Sequence, residues 1–435
     1  MKEQLKNTIR RINSGFLNTL KIWLREYQVI FTDVGVLIVM IAAPLVYPVL
    51  YSLIYKPEII TDMPIAIVDL SRSADSRQFS RQLDATQELR VAYMATSMTD
   101  AIKQFKLRNV RGIIEIPSSF SKDIAQGNQT NISAYADMEF FLYYKTLLLG
   151  TSFVTLETGK QIQFRNLVQQ GETLQEADAA VNPIHIEDTS IANAVGGFAT
   201  YAIPVALMLI IQQTLILAIG IMAGTARERH ARGTLVPLDK NKMGTFRLVI
   251  GKSAAYFTVY ALLCVYLLGI IPQMFGYYRL ADFKELAALM TPFLLSCIFF
   301  GMTLSVLFKN RESPMLLFLF TSFPLFFLSG IIWPLSNFSN IWLIVREIFP
   351  SSNAVFGYIK MNTLGASITE TSHEITALWI QTGVYFLTAC LVYYVQVKLS
   401  ERKNKEIKTF PINSIKQKLA GRLSGNTIAT TSGVK

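Results

Sequence analysis

Apolar residues gather in long unbroken runs, separated by one extended stretch in which they alternate with polar ones. Val34–Tyr55 is the first run; it carries no charge and, at 1.5 Å per residue, is long enough for the roughly 30 Å of a bilayer core. Five more follow: Phe198–Gly224, Ser253–Phe275, Leu286–Phe308, Met315–Trp333 and Ala377–Val397. The pattern predicts six transmembrane helices. Pro44 and Pro48 should bend the first, and neighbouring helices must then satisfy the freed carbonyls. Ahead of it, residues 1–33 set Ile9, Ile12, Phe16, Leu20, Trp23 and Leu24 at roughly helical spacing among Lys and Arg. They read as an amphipathic helix lying on the inner membrane face.

The alternating stretch covers residues 56–196. Strands are predicted at 64–69, 89–95, 111–116 and 131–137, with helices at 73–85, 99–107 and 118–126 between them. Strand and helix in turn define a small α/β domain. Residues 139–180 read mostly as helix, interrupted at Gly150, Gly159 and Gly171, and forming a stalk back to the membrane. Phe140–Leu156 imitates a span, but it is at the lower length limit and holds Lys145 near its middle. A central Lys costs roughly 2.5–3.5 kcal/mol on insertion, so the segment is assigned to the insert. The fold class is therefore an α-helical polytopic membrane protein of six transmembrane helices with an inserted extracytoplasmic α/β domain. Between the last two runs, residues 334–376 contain stretches too apolar for a free loop and too short for a span. They are expected to form an outer re-entrant helical segment buried against a bundle of residues 197–398.

Charge then sets orientation. Only 16% of residues are charged, against roughly 25% in soluble proteins, and the mean hydropathy is +0.35. The insert carries 13 basic and 17 acidic side chains, whereas the remainder of the chain has a net charge of +15. The positive-inside rule explains this better than nucleic-acid binding does. The loop at 225–249, the Lys309–Arg311 turn and the basic tail at 399–435 all fall on one side, with both termini in the cytosol. The apolar run of the N-terminal region begins late and is long enough to span, so it reads as a retained anchor rather than a cleavable signal. Cys264, Cys297 and Cys390 lie in apolar runs and imply no disulfide framework.

Chemistry is sparse. The predicted spans hold no Asp, Glu, Lys, Arg or His, which argues against an ion-driven carrier. No catalytic residue and no metal cluster is expected. Gly251-Lys252-Ser253 imitates the end of a P-loop, but Phe246 stands where the first glycine belongs and a span follows. Lys252 reads as a snorkelling anchor. The chain therefore binds no nucleotide of its own, and any ATP dependence belongs to another subunit. Asp69, Asp75 and Asp84 sit at strand and helix ends, where Asp is a usual turn or cap residue. Gln212 and Gln213 lie mid-span, suited to hydrogen bonds between helices; with Phe323 and Phe326 of the Phe-rich fifth span they are the candidates for a translocation path.

The layout resembles the type-2 ABC exporter permeases, in the subgroup with a large outer domain between the first two spans. Leu24-Arg25-Glu26 with Asp33 is similar to that family's elbow helix at 1–33. The segment from Arg111 to Asp123, with its strand-Pro-Xaa-Xaa-Phe-Ser turn, resembles the outer domain. Arg227, Glu228 and Arg229 followed by Gly233 and Thr234 resemble the inner coupling loop, and Ser329-Gly330 with Trp333-Pro334 resembles the re-entrant segment. The resemblance implies a permease subunit of an ATP-driven exporter in a bacterial inner membrane. It implies a separate ATP-binding subunit that holds ATP and Mg, and a second permease half, identical or related. It also implies a periplasmic adaptor with an outer-membrane channel, and an amphipathic substrate: drug, lipid or peptide. Coupling to the ATPase would fall to Arg25, Glu26, Asp33, Arg227, Glu228, Arg229, Gly233 and Thr234. The rival expectations are an envelope scaffold or phage-receptor-like protein displaying the insert, and a secondary transporter.

Overall fold

A computed structural model describes residues 2–56, 59–184, 197–229, 244–277, 279–330 and 333–409. It divides into two compact units, one of residues 57–190 with 194–197, the other of the rest of the chain.

The larger unit is helical. It begins with α1 (Lys2–Thr32), a single 31-residue helix. The chain turns at Asp33, whose extended backbone stops α1 and whose carboxylate accepts hydrogen bonds from the N–H groups of Gly35 and Val36. That caps α2 (Val34–Ile54). Within α2 the turn Ile38–Ala42 is π-helical and lies just before Pro44. A proline ring clashes with the carbonyl four residues back, and the wider turn relieves that clash.

The smaller unit holds a four-stranded sheet of order β2-β1-β3-β4. Its strands are β1 (Met63–Asp69), β2 (Leu89–Ala95), β3 (Gly112–Ile116) and β4 (Ser133–Ala136). β1 pairs in parallel with β2 and β3, and β4 runs antiparallel to β3. Central β1 is covered on both faces, which is why it reads as an unbroken apolar run. Ile65 and Ile67 pack with Phe79 and Leu83 of α3 (Ala74–Asp84) and with Phe120 of α5 (Phe120–Ala125). On the opposite face Ala66 and Val68 pack with Ala101 of α4 (Met98–Lys106). Asp69 accepts from the N–H groups of Ser71 and Arg72, Asp84 from that of Val91, and Asp75 from the Ser121 hydroxyl.

Residues 139–180 depart from expectation. α6 (Phe141–Gln169) runs unbroken through Gly150 and Gly159, and ends at Gly171 in a left-handed conformation (φ 100°) before α7 (Leu174–Val181). Glycine costs a helix only about 1 kcal/mol. At Gly150 there is a reason to keep it: a Cβ there would lie 2.8 Å from the Leu89 side chain. Leu147 and Val154 belong to the sheet's core, so the first half of α6 is a layer of the domain and not a free stalk. Its other face leaves Leu148, Leu149, Phe153 and Leu156 exposed. The span-like apolarity of this segment thus comes from two apolar faces of one helix.

The helical unit resumes with α8 (Phe198–Arg229) and α9 (Gly244–Phe275). α9 carries a second π turn, Tyr266–Ile270, again just before a proline, Pro272. The Tyr266 hydroxyl donates to the Leu45 carbonyl beside the prolines of α2. Then follow α10 (Phe283–Leu304), α11 (Ser313–Leu328), α12 (Asn340–Arg346), α13 (Pro350–Leu364) and α14 (Ser372–Thr409). Among the described residues five helices are long and apolar enough to cross a membrane: Val34–Ile54, Ala202–Glu228, Gly244–Phe275, Phe283–Leu307 and Ser372–Lys398. The fifth expected span, Met315–Trp333, is the exception. α11 has 16 residues and so covers about 24 Å at 1.5 Å per residue, short of a bilayer core, before the left-handed Gly330. α12 and α13 form the expected pair of short helices. α13 is buried against the bundle through residues such as Ala354, Val355, Tyr358 and Met361.

Candidate functional site

Three segments far apart in sequence meet through ionic and hydrogen-bonded contacts: the α1–α2 junction, the end of α8, and the turn joining α10 to α11. α1 is held first. It lies against α9 so closely that a Cβ at Gly251 would sit 2.8 Å from Ile22. One helical turn further along, Glu26 is 5% exposed and accepts from Lys252 Nζ at 2.8 Å and from the Tyr256 hydroxyl at 2.5 Å. The neighbouring Arg25 is exposed. The Arg-Glu pair is therefore split, Glu26 inward and Arg25 outward. The same contact corrects the expectation for Lys252. It does not reach outward as an anchor, because the buried carboxylate draws it onto α1. The P-loop-like triplet is thus a packing motif, with Gly251 for close approach and Lys252 for the ion pair.

Asp33 makes the second tie. Beside its capping bonds it accepts a bidentate pair from Arg311, at 2.6 and 2.9 Å. Planar guanidinium and carboxylate match in geometry, which makes such pairs directional as well as ionic. Burial works to raise this carboxyl, but the Arg311 guanidinium and the N–H groups of Val36 and Gly35 outweigh it and hold it below the ordinary Asp value. A lowered carboxyl stabilises the fold above its unfolded value and loses that contribution as pH falls through the folded one. Asp33→Asn keeps a capping side chain but removes the charge. It is expected to cost roughly 0.5–1.5 kcal/mol at pH 7, a difference that is lost as pH falls through the lowered folded value of Asp33. Thermal unfolding of both proteins from pH 7 to 3 checks this: parallel curves at all pH values would exclude the ion pair.

The third tie closes the circuit. The backbone N–H of Arg311 donates to the Glu228 carboxylate at 2.8 Å. Arg227 donates to the carbonyls of Val306 at 3.2 Å and Phe308. These carbonyls close α10, where terminal acceptors lack helical partners and a cation is favoured. Gly224 lets the turn approach, since a Cβ there would stand 2.3 Å from the Asn310 carbonyl oxygen. The stretch from Thr225 to Arg229 is accordingly a continuation of α8 and not a loop. Arg229 ends that helix, and Gly233 and Thr234 lie outside the described residues.

The structure thus brings together Glu26, Asp33, Arg227 and Glu228 and joins to them Lys252, Tyr256 and Arg311, which sequence reasoning had not assigned. Charges beside three different apolar runs were a legible signal that partners were needed. Which charge meets which is decided by packing of segments far apart in sequence, from 79 residues for Arg227 and Val306 to 278 for Asp33 and Arg311.

The proposed path residues lie elsewhere. Gln212 is fully buried and its Oε1 accepts from the Ser351 N–H at 2.7 Å, satisfying a free donor at the start of α13. Gln213 donates to the Thr321 hydroxyl of α11 at 3.2 Å. Both make the inter-helix bonds their position suggested. Phe326 packs partly against the core, whereas Phe323 is 71% exposed and meets Phe327 edge-on at 5.1 Å. Among the described residues no group of three or more His, Cys, Asp or Glu side chains is placed to hold a metal ion.

Apolar helices of spanning length around an ion-paired junction define a multi-pass membrane protein. A family model described as ABC-2 family transporter protein matches residues 34–391. The chain belongs to that family, so it is a permease, the membrane subunit of an ABC transporter; permeases of this family normally pair with an ATP-binding subunit. No curated protein matches it.

Proposed function

We propose that this permease drives outward transport of an amphipathic substrate across a bacterial inner membrane. The carrying observation is the three-way tie of Asp33, Arg311 and Glu228, which links the α1–α2 junction, the α10–α11 turn and the end of α8. A push on α1 or on the end of α8 would reach all three segments as one displacement, because hydrogen-bonded ion pairs and close backbone contacts leave little slack. Exposed Arg25, with Arg229 and the following Gly233 and Thr234, offers the ATP-binding subunit its contact, and Glu26, Asp33, Arg227 and Glu228 transmit it. ATP and Mg remain on that partner.

In this reading α11 with the residues after it completes a sixth crossing and both termini face the cytosol. Two permease halves then pair. The exposed apolar residues of α11, Phe323 among them, and the Gln-bearing α8 would border the route of an amphipathic molecule. The α/β insert faces the periplasm, where it can meet an adaptor and outer-membrane channel.

Changing Arg227, Glu228 and Arg229 together to alanine is expected to abolish ATP-dependent export while the chain still inserts and still co-purifies its second half. Reconstituted vesicles loaded with ATP, its ATP-binding subunit and a fluorescent amphipathic dye supply the assay. Export at the unaltered rate would remove the end of α8 from the coupling route. Uptake in place of export would overturn the assigned direction.

A further inference from the structure

A small cavity lies where α8, α9 and α14 come together, walled in part by Arg227, Lys252 and Tyr256 of the junction. Its volume is about 40 Å³, some three times the ~10–15 Å³ that admits one water molecule. Its polar lining is Arg227 from α8, Lys252 and Tyr256 from α9, and Tyr393 and Gln396 from α14. Apolar side chains of α8, with Val397 of α14, form the rest of the wall.

The lining carries unspent donors beside the oxygens of Gln396, Tyr393 and Tyr256. Lys252 has three N–H bonds and spends one on Glu26. Arg227 has five, and the bonds it makes to Val306 and Phe308 leave from a single nitrogen. The Tyr256 hydroxyl already donates to Glu26. Gln396 carries a buried Nε2 with no hydrogen-bond partner among the described residues. A buried donor without an acceptor costs roughly 1–3 kcal/mol. Charge points the same way: two cations line the space, Glu26 is committed to Lys252 and Tyr256, and Glu228 accepts from the Arg311 N–H. Two partly buried cations sharing one small space favour a counter-anion.

We propose that the cavity binds a phosphate group. The free donors approach from three helices rather than from one fork, an arrangement suited to a tetrahedral oxyanion more than to a planar carboxylate. Its source is either the headgroup of an anionic lipid, concentrated at membrane surfaces where spanning helices end, or free inorganic phosphate. The site holds whatever the direction of transport, since it rests on the lining alone.

Thermal unfolding of the full-length chain in detergent tests it, with inorganic phosphate or phosphatidylglycerol titrated at constant ionic strength against chloride. A saturable rise in Tm is expected, because a ligand that binds only the folded state stabilises it. Gln396→Leu should raise the half-saturating concentration about five- to tenfold and Lys252→Met tenfold or more, as expected for a neutral and a charged donor. Since Lys252→Met also strands Glu26, Gln396→Leu decides if that variant does not fold. A response to phosphatidylglycerol alone assigns a lipid headgroup, and a response to inorganic phosphate assigns the free ion. The proposal is overturned if neither gives a saturable shift, if chloride gives the same one, or if Gln396→Leu leaves half-saturation unchanged.

Discussion

Replacing Glu26 with alanine destabilises the helical unit by an expected ~3–5 kcal/mol, the cost of breaking a buried ion pair by removing one member. Glu26 accepts from Lys252 and Tyr256 through the same oxygen. Its loss leaves an ammonium whose side chain is only 21% exposed and a buried phenol, both without their acceptor. The diagnostic is the double variant. Glu26→Ala with Lys252→Met removes both charges and should recover most of the loss, because the penalty lies in the unpaired survivor and not in the absent contact. Denaturant or thermal unfolding of the two singles and the double gives the coupling directly. A double variant as unstable as the sum of the singles would mean that the pair is not coupled.

Gly224→Val is the second. The added side chain would begin 2.3 Å from a backbone oxygen, and backbone cannot swing aside as a flexible side chain can. Overpacking of this kind costs about 1–3 kcal/mol. Here the relief is specific: the turn holding Asn310 and Arg311 must withdraw from α8. That breaks the Glu228 bond to Arg311 and strains the Arg311 bond to Asp33. ATP-dependent transport should therefore fall at least tenfold even at temperatures where the variant is folded. Full transport with a reduced Tm would show that the turn supports the fold alone.

Much of the fold was legible because the two kinds of unit have different periods. In the insert, β1, β3 and the helices between them appear where the alternating pattern places them, with Ser73 capping α3 through the Ser76 N–H and Ser97 capping α4 through that of Asp100. The apolar runs of the rest located α2, α8, α9, α10 and α14. Illegible features were those in which one property has two causes. Phe140–Leu156 is as apolar as a span because Leu147 and Val154 cover a sheet while Phe153 and Leu156 do not. Met315–Trp333 is as long as a span, but α11 stops at Leu328, two residues before the left-handed Gly330. At the junction, Glu26, Asp33, Arg227 and Glu228 were named through the resemblance to the type-2 exporter permeases. Arg311 could not be matched to Asp33, since 278 residues separate them and no local pattern encodes the pairing.

The two π turns deserve a geometric consequence of their own. Each fits one more residue into a turn than a regular helix would, so everything beyond it is rotated by about 100° about the axis relative to a regular continuation. Faces drawn on an ideal helical wheel are therefore valid on one side of Ile38–Ala42 or Tyr266–Ile270 and false across it. Deleting a single residue such as Val39 would restore the regular ladder. It would also swing Pro48 and Ser52, buried now, toward a different neighbour, and set the ring of Pro44 against the carbonyl behind it. In these two helices an insertion has become the register, and a sequence one residue shorter would be a different surface.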